Sequence, residues 1–126
     1  MATTQLDFIS LQVRDRARSE AFYRDQLGFQ VAEQPNPSAT VFRDSKGAIF
    51  AVRDPFAPLP PTGELGTGVG IWFTVSDRVE KLADLLAQAD VRILRPPYDT
   101  PFGRSITVAD PDGYAITLHE QVSARE

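Results

Sequence analysis

Two stretches of this chain carry the same pattern. Val13-Arg14-Asp15-Arg16 recurs as Val75-Ser76-Asp77-Arg78, 62 positions later. The same offset pairs Tyr23 with Leu85, Leu27 with Ala89, Phe29 with Val91 and Val31 with Ile93. Asp44 and Gly47 match Asp110 and Gly113 at an offset of 66, as do Ile49 with Ala115, Phe50 with Ile116 and Val52 with Leu118. Apolar residues answer apolar residues in the same order, which marks a duplicated supersecondary unit. A chain of 126 residues has room for one ordinary domain. The expectation is a single domain, with one module over about 5–54 and a second over about 69–121. Residues 55–68 between them hold four prolines and read as a linker.

Each half shows the same parts. In residues 6–13, Ile9, Leu11 and Val13 alternate with Phe8, Ser10 and Gln12, the period of a strand. Asp15 is placed to cap a helix, since its carboxylate can accept from free first-turn N–H groups. Ala17, Ala21 and Phe22 are expected to face inward, and Gly28 to end the helix. Short strands follow at 29–31, 41–43 and 48–53, the last two joined around Ser45-Lys46-Gly47. In the second half, Ile71, Phe73 and Val75 alternate with Trp72 and Thr74. Asp77 and Glu80 have capping-box spacing. Val79, Leu82, Ala83 and Leu86 form a helical apolar stripe. Strands are expected at 91–94, 105–108 and 114–120, with Asp112-Gly113 as the last turn. The fold class is therefore α+β, two βαβββ modules.

Composition removes several functions. The chain has no cysteine and a single histidine, His119. Disulfides, thiolate nucleophiles, zinc fingers and Fe–S clusters are excluded. The net charge of −4 disfavours a nucleic-acid partner. No apolar run is long enough to span a bilayer, and MATTQLDFIS lacks the pattern of a signal peptide. A cytoplasmic protein with no membrane partner is expected. No Gly-rich phosphate loop, nucleophile elbow or H-E-x-x-H pattern is present.

With VRD…FYRDQLGF in the first copy and VADPDGYAITL closing the second, the chain resembles the vicinal oxygen chelate superfamily. That group includes glyoxalase I, extradiol dioxygenases, fosfomycin-resistance proteins and bleomycin-resistance proteins. The resemblance covers about residues 5–121. It implies that eight strands curl into a U-shaped trough whose open face holds the ligand. It also points to a homodimer, with modules paired within or across chains. Metal enzymes of the group hold their cation at four equivalent strand positions. Carried onto this chain, these are Phe8, Ala51, Gly70 and Thr117. None is an ordinary ligand for a divalent cation. The resemblance thus points away from metal-dependent glyoxalase or dioxygenase chemistry and toward the bleomycin-resistance branch, with no metal and no cofactor.

Strand alternation gives the candidate site. Phe8, Ser10, Gln12, Ala51, Arg53, Gly70, Trp72, Thr74, Thr117 and His119 are expected on the open faces, and Tyr98 and Phe102 in a PPYDTPFG loop at the edge. Aromatic walls, small residues and sparse polar groups suit a hydrophobic or aromatic small molecule. The leading expectation is a metal-independent binding protein that sequesters an aromatic natural product, as in antibiotic resistance. Two alternatives stay open. One is a metal-free lyase, isomerase or cyclase with His119 as catalytic base. The other is an enzyme with an unconventional metal site built from His119 with Glu120 or Asp7.

Overall fold

A computed structural model describes residues 2–33, 36–44 and 47–121, the Ala48 side chain excepted. Ser45 and Lys46 of the expected first hairpin turn lie outside the described residues. The chain forms two compact units, Met1–Pro61 and Thr62–Glu126. Each contains one four-stranded sheet and one helix.

The first unit runs β1 (Ile9–Gln12), α1 (Arg16–Ala21), a single π-helical turn (Phe22–Gln26), β2 (Gln30–Val31), β3 (Ala39–Asp44) and β4 (Gly47–Arg53). Its strand order is β1-β4-β3-β2. β1 runs parallel to β4, whereas β2, β3 and β4 are antiparallel. Asp15 caps α1 as expected, accepting the Arg18 N–H at 3.1 Å. The inward face differs from the expected one. Ser19, Phe22 and Tyr23 are buried, whereas Ala17 is exposed and Ala21 half-buried. The π turn causes this, because its wider coil aims two consecutive rings at the sheet. Tyr23 then sits 5.0 Å from Phe22, 5.5 Å from Phe42 and 5.0 Å from Phe50, centroid to centroid. Phe42 and Phe50 stack at 4.8 Å. The core of this unit is aromatic.

The second unit repeats the plan: β5 (Gly70–Val75), α2 (Val79–Gln88), β6 (Ile93–Thr100), β7 (Gly103–Ala109) and β8 (Ala115–Glu120). The strand order is β5-β8-β7-β6, again with one parallel pair, β5 with β8. Its core is aliphatic: Ile71, Val79, Leu86, Ile106, Val108, Ile116 and Leu118 are buried. Asp77 and Glu80 do not form the expected capping box. Asp77 accepts the Arg78 N–H at 2.9 Å, and Glu80 binds Arg104 at 2.9 Å. The Val79 N–H instead donates to Glu120 from β8, at 3.0 Å. A carboxylate 41 residues away thus serves the helix N-terminus.

Two further expectations change. PPYDTPFG is not a loop: β6 and β7 continue through it, leaving Pro101 and Phe102 as a tight turn. Pro96 and Pro97 are accommodated because β6 is an edge strand with register shifts at Ile93/Arg95 and Arg95/Tyr98. The proline-rich 55–68 segment is docked on both sides of the unit boundary. In the first unit, Phe56 N–H donates to Gln12 Oε1 at 2.9 Å and Arg14 Nε donates to the Pro60 carbonyl at 2.9 Å. In the second, Leu65 N–H donates to the Asp112 carbonyl at 2.9 Å, and Arg92 pairs with Glu64. The Asp112-Gly113 turn stands as expected. Asp110 Oδ1 accepts the N–H groups of Asp112 and Tyr114 at 2.9 and 3.0 Å. These aspartates serve the turn.

Candidate ligand-binding site

Alternation sends one side of each sheet to its helix and leaves the other open. In the first unit, Ser10 pairs with Ala51 and Ala51 with Val41; Gln12 pairs with Arg53 and Arg53 with Ala39. These rows line a cavity of about 500 Å³, together with Asp7, Phe8, Asn36 and Phe56. That volume suits a small organic molecule. Phe8, Ser10, Gln12, Ala51 and Arg53 thus come together as the alternation implies. Sequence reasoning misses Ala39 and Val41, which the β3 pleat would give, and Phe56, which carries no signal inside a segment that reads as a linker.

Phe56 is held by its bond to Gln12 and stays 75% exposed. The Arg53 guanidinium lies 3.8 Å from the centre of its ring, while Arg53 Nε donates to the Asp54 carbonyl at 3.2 Å. The cation is thereby held in one orientation over an aromatic face. The cavity combines two rings, Phe8 and Phe56, with a fixed positive charge.

The open face of the second sheet is built differently. Gly70, Trp72 and Thr74 stand beside Ala115, Thr117 and His119 through the β5–β8 register. Trp72, Phe102 and His119 form a ring cluster, with centroids 5.8, 6.1 and 6.5 Å apart. Trp72 remains 46% and Phe102 64% exposed. A Cβ at Gly70 would meet the indole Nε1 at 3.6 Å, so glycine leaves open the space beside that ring. Tyr98 lies within β6, and its hydroxyl bonds Thr107 at 2.8 Å, which in turn bonds Thr117 at 2.8 Å. Tyr98 is therefore part of the sheet face rather than of a lid. The Arg95 guanidinium covers its ring at 3.8 Å.

The four positions of a metal site carry phenyl, methyl, hydrogen and hydroxyl groups, which do not suit a divalent cation. The unconventional alternative fares no better. His119 and Glu120 are consecutive on β8, so their side chains leave opposite faces, and Glu120 is occupied at α2. Among the described residues, no three His, Cys, Asp or Glu side chains converge on a point that could hold a metal.

Comparisons with known proteins agree with this architecture. The family model described as Glyoxalase/Bleomycin resistance protein/Dioxygenase superfamily matches residues 5–118. The phenazine antibiotic resistance protein EhpR of Enterobacter agglomerans is 29% identical over 111 residues, covering 80% of each chain. Among solved structures, TnmS3, an antibiotic binding protein from Streptomyces sp. CB03234, is 25% identical with a TM-score of 0.72, covering 96% of this chain and 98% of its own. A lactoylglutathione lyase from Agrobacterium tumefaciens is 19% identical with a TM-score of 0.68, covering 94% and 96%, a likeness of fold alone. No helix among the described residues is long and apolar enough to cross a membrane. With its two βαβββ units and a family match over nearly its whole length, this chain belongs to the glyoxalase/bleomycin resistance protein/dioxygenase superfamily.

Proposed function

We propose that this protein binds a planar aromatic or hydrophobic small molecule and sequesters it without a metal ion. The observation that carries this reading is the cavity of about 500 Å³ in the first unit, walled by Phe8 and Phe56 and charged by Arg53. Rings supply apolar area, and the oriented guanidinium supplies a partner for an anionic substituent. The second unit's open face carries rings of its own, Trp72 and Phe102. The antibiotic resistance and antibiotic binding roles in the names of EhpR and TnmS3 support the same class of ligand. The test is calorimetric titration with phenazine-1-carboxylate, followed in parallel by Trp72 emission. Micromolar binding is expected, weakened about tenfold in Arg53→Ala, the size of one charge-assisted contact. Flat heats and unchanged emission across a panel of planar aromatics would sink the reading.

A homodimer belongs to this proposal. Leu6, Phe56, Val69 and Phe102 are all more than half exposed, apolar area that a second copy would cover. Sedimentation equilibrium giving only monomer mass at high protein concentration would remove it.

One observation favours the catalytic alternative. His119 Nδ1 lies 3.3 Å from the Glu120 carbonyl, a contact that would leave Nε2 as the proton acceptor on the open face. Turnover of a bound ligand that survives His119→Ala would discard this reading.

A further inference from the structure

Three hydroxyls form a row across the second sheet. Tyr98 bonds Thr107, and Thr107 bonds Thr117, each at 2.8 Å. Three hydroxyls carry three O–H donors, and two bonds consume two of them. One donor is left over: on Thr117 or Tyr98 where the bonds run in sequence, on Thr107 where it accepts both. No other hydrogen bond of these three hydroxyls exists among the described residues. The phenol is the more acidic group and the poorer acceptor, so Tyr98 donates to Thr107. The surplus O–H is then that of the Thr107–Thr117 pair, which face each other across β7 and β8. Thr117 is only 4% exposed, where an unanswered donor is costly.

The setting of this donor is specific. Thr117 pairs with Trp72 across the parallel β5–β8 ladder, so hydroxyl and indole share one face. Neighbouring strands lie about 4.8 Å apart, the distance from a ring's centre to the atoms just beyond its edge. We propose that the Tyr98–Thr107–Thr117 row hands one O–H to an acceptor atom of a planar ring laid against Trp72, and so selects heteroaromatic or carbonyl-bearing rings over hydrocarbons. The inference rests on the aromatic-ligand reading above and adds the acceptor that the ligand must carry. The first unit has Ala51 and Val41 where the second has Thr117 and Thr107, so it offers no equivalent donor row.

The test uses two probes of the same outline and charge, phenazine-1-carboxylate and anthracene-1-carboxylate, which differ only in two ring nitrogens. The intact protein is expected to prefer the phenazine by about tenfold, the worth of one net hydrogen bond. Thr117→Val should abolish the preference by weakening the phenazine alone, and Thr117→Ser should restore it. Tyr98→Phe should reduce the preference about threefold, because the phenol no longer polarises the remaining pair. Equal affinity for both probes, or a preference that survives Thr117→Val, overturns the donor row while leaving aromatic binding intact. A Thr117→Val protein that loses both probes equally marks a structural role and likewise overturns it. Failure of both probes to bind the unaltered protein overturns the inference together with the reading beneath it.

Discussion

The two units share a plan and differ on both faces. Toward the helix, the repeat keeps apolar character but changes its kind: Phe42 and Phe50 in the first unit stand where Val108 and Ile116 stand in the second. Toward the open side, ring and gap exchange places. Phe8 corresponds to Gly70, while Ser10 corresponds to Trp72. Ala51 and Val41 correspond to Thr117 and Thr107, and Arg53 to His119. The helix-side positions must fill a core, so substitution there is held to apolar groups. The open positions carry no such demand, and a duplicated module can acquire two different chemistries there. One face presents an oriented cation over Phe56; the other presents a ring cluster beside a hydroxyl row.

The largest test of this contrast concerns the helices. The first helix spans six α and five π residues, the second only ten. The helices start 63 positions apart, at Arg16 and Val79, and end 62 apart, at Gln26 and Gln88, so Tyr23 answers Leu86 in burial and not Leu85, its partner at the strand offset. Tyr23 is 0% exposed and Leu85 is 51% exposed. Tyr23→Ala should cost about 3–5 kcal/mol in urea unfolding, and Leu85→Ala less than about 0.5. Equal losses would break the match of Tyr23 to Leu86.

A middle-sized test concerns equivalent carboxylates. Glu120 is buried and caps α2, whereas Asp54, its repeat partner, is exposed and meets Arg16 at 3.7 Å. Glu120→Ala should destabilise by about 1–2 kcal/mol and Asp54→Ala by under about 0.5. Matching midpoints for the two variants in the same denaturant series would show that the long-range cap contributes nothing.

The smallest effect lies where the helices stop. Gly28 has φ +80° and Asp90, at the same offset, has φ +60°. Asp90 is the only non-glycine residue with positive φ among those described. Asp90→Gly should raise stability by about 0.5–1 kcal/mol and Gly28→Ala should lower it by a similar amount. A Tm drop for Asp90→Gly would mean that the aspartate side chain outweighs the backbone strain.

Much of this architecture is legible in the sequence alone. Strand alternation places Phe8, Ser10, Gln12, Ala51 and Arg53 on one face, because a period of two admits only two directions. Asp15 is legible as a cap because its acceptor serves a residue three positions on. The π turn is not legible, since FYRDQ carries no local signal for a wider coil and the aromatic core selects it. Nor is Tyr98 as a strand residue: Pro96-Pro97 reads as a loop unless the strand is known to be an edge.

The duplicated pattern by itself determined two βαβββ modules and the two faces of their core strands. Those are properties of local period and residue type. Only the tertiary structure decided that Glu120 caps a helix 41 residues away, that Gln12 pins Phe56 under Arg53, and that Tyr98, Thr107 and Thr117 join in one row. Each of these depends on strand register and chain return, where residues distant in sequence meet within hydrogen-bond distance, and no local pattern encodes such meetings.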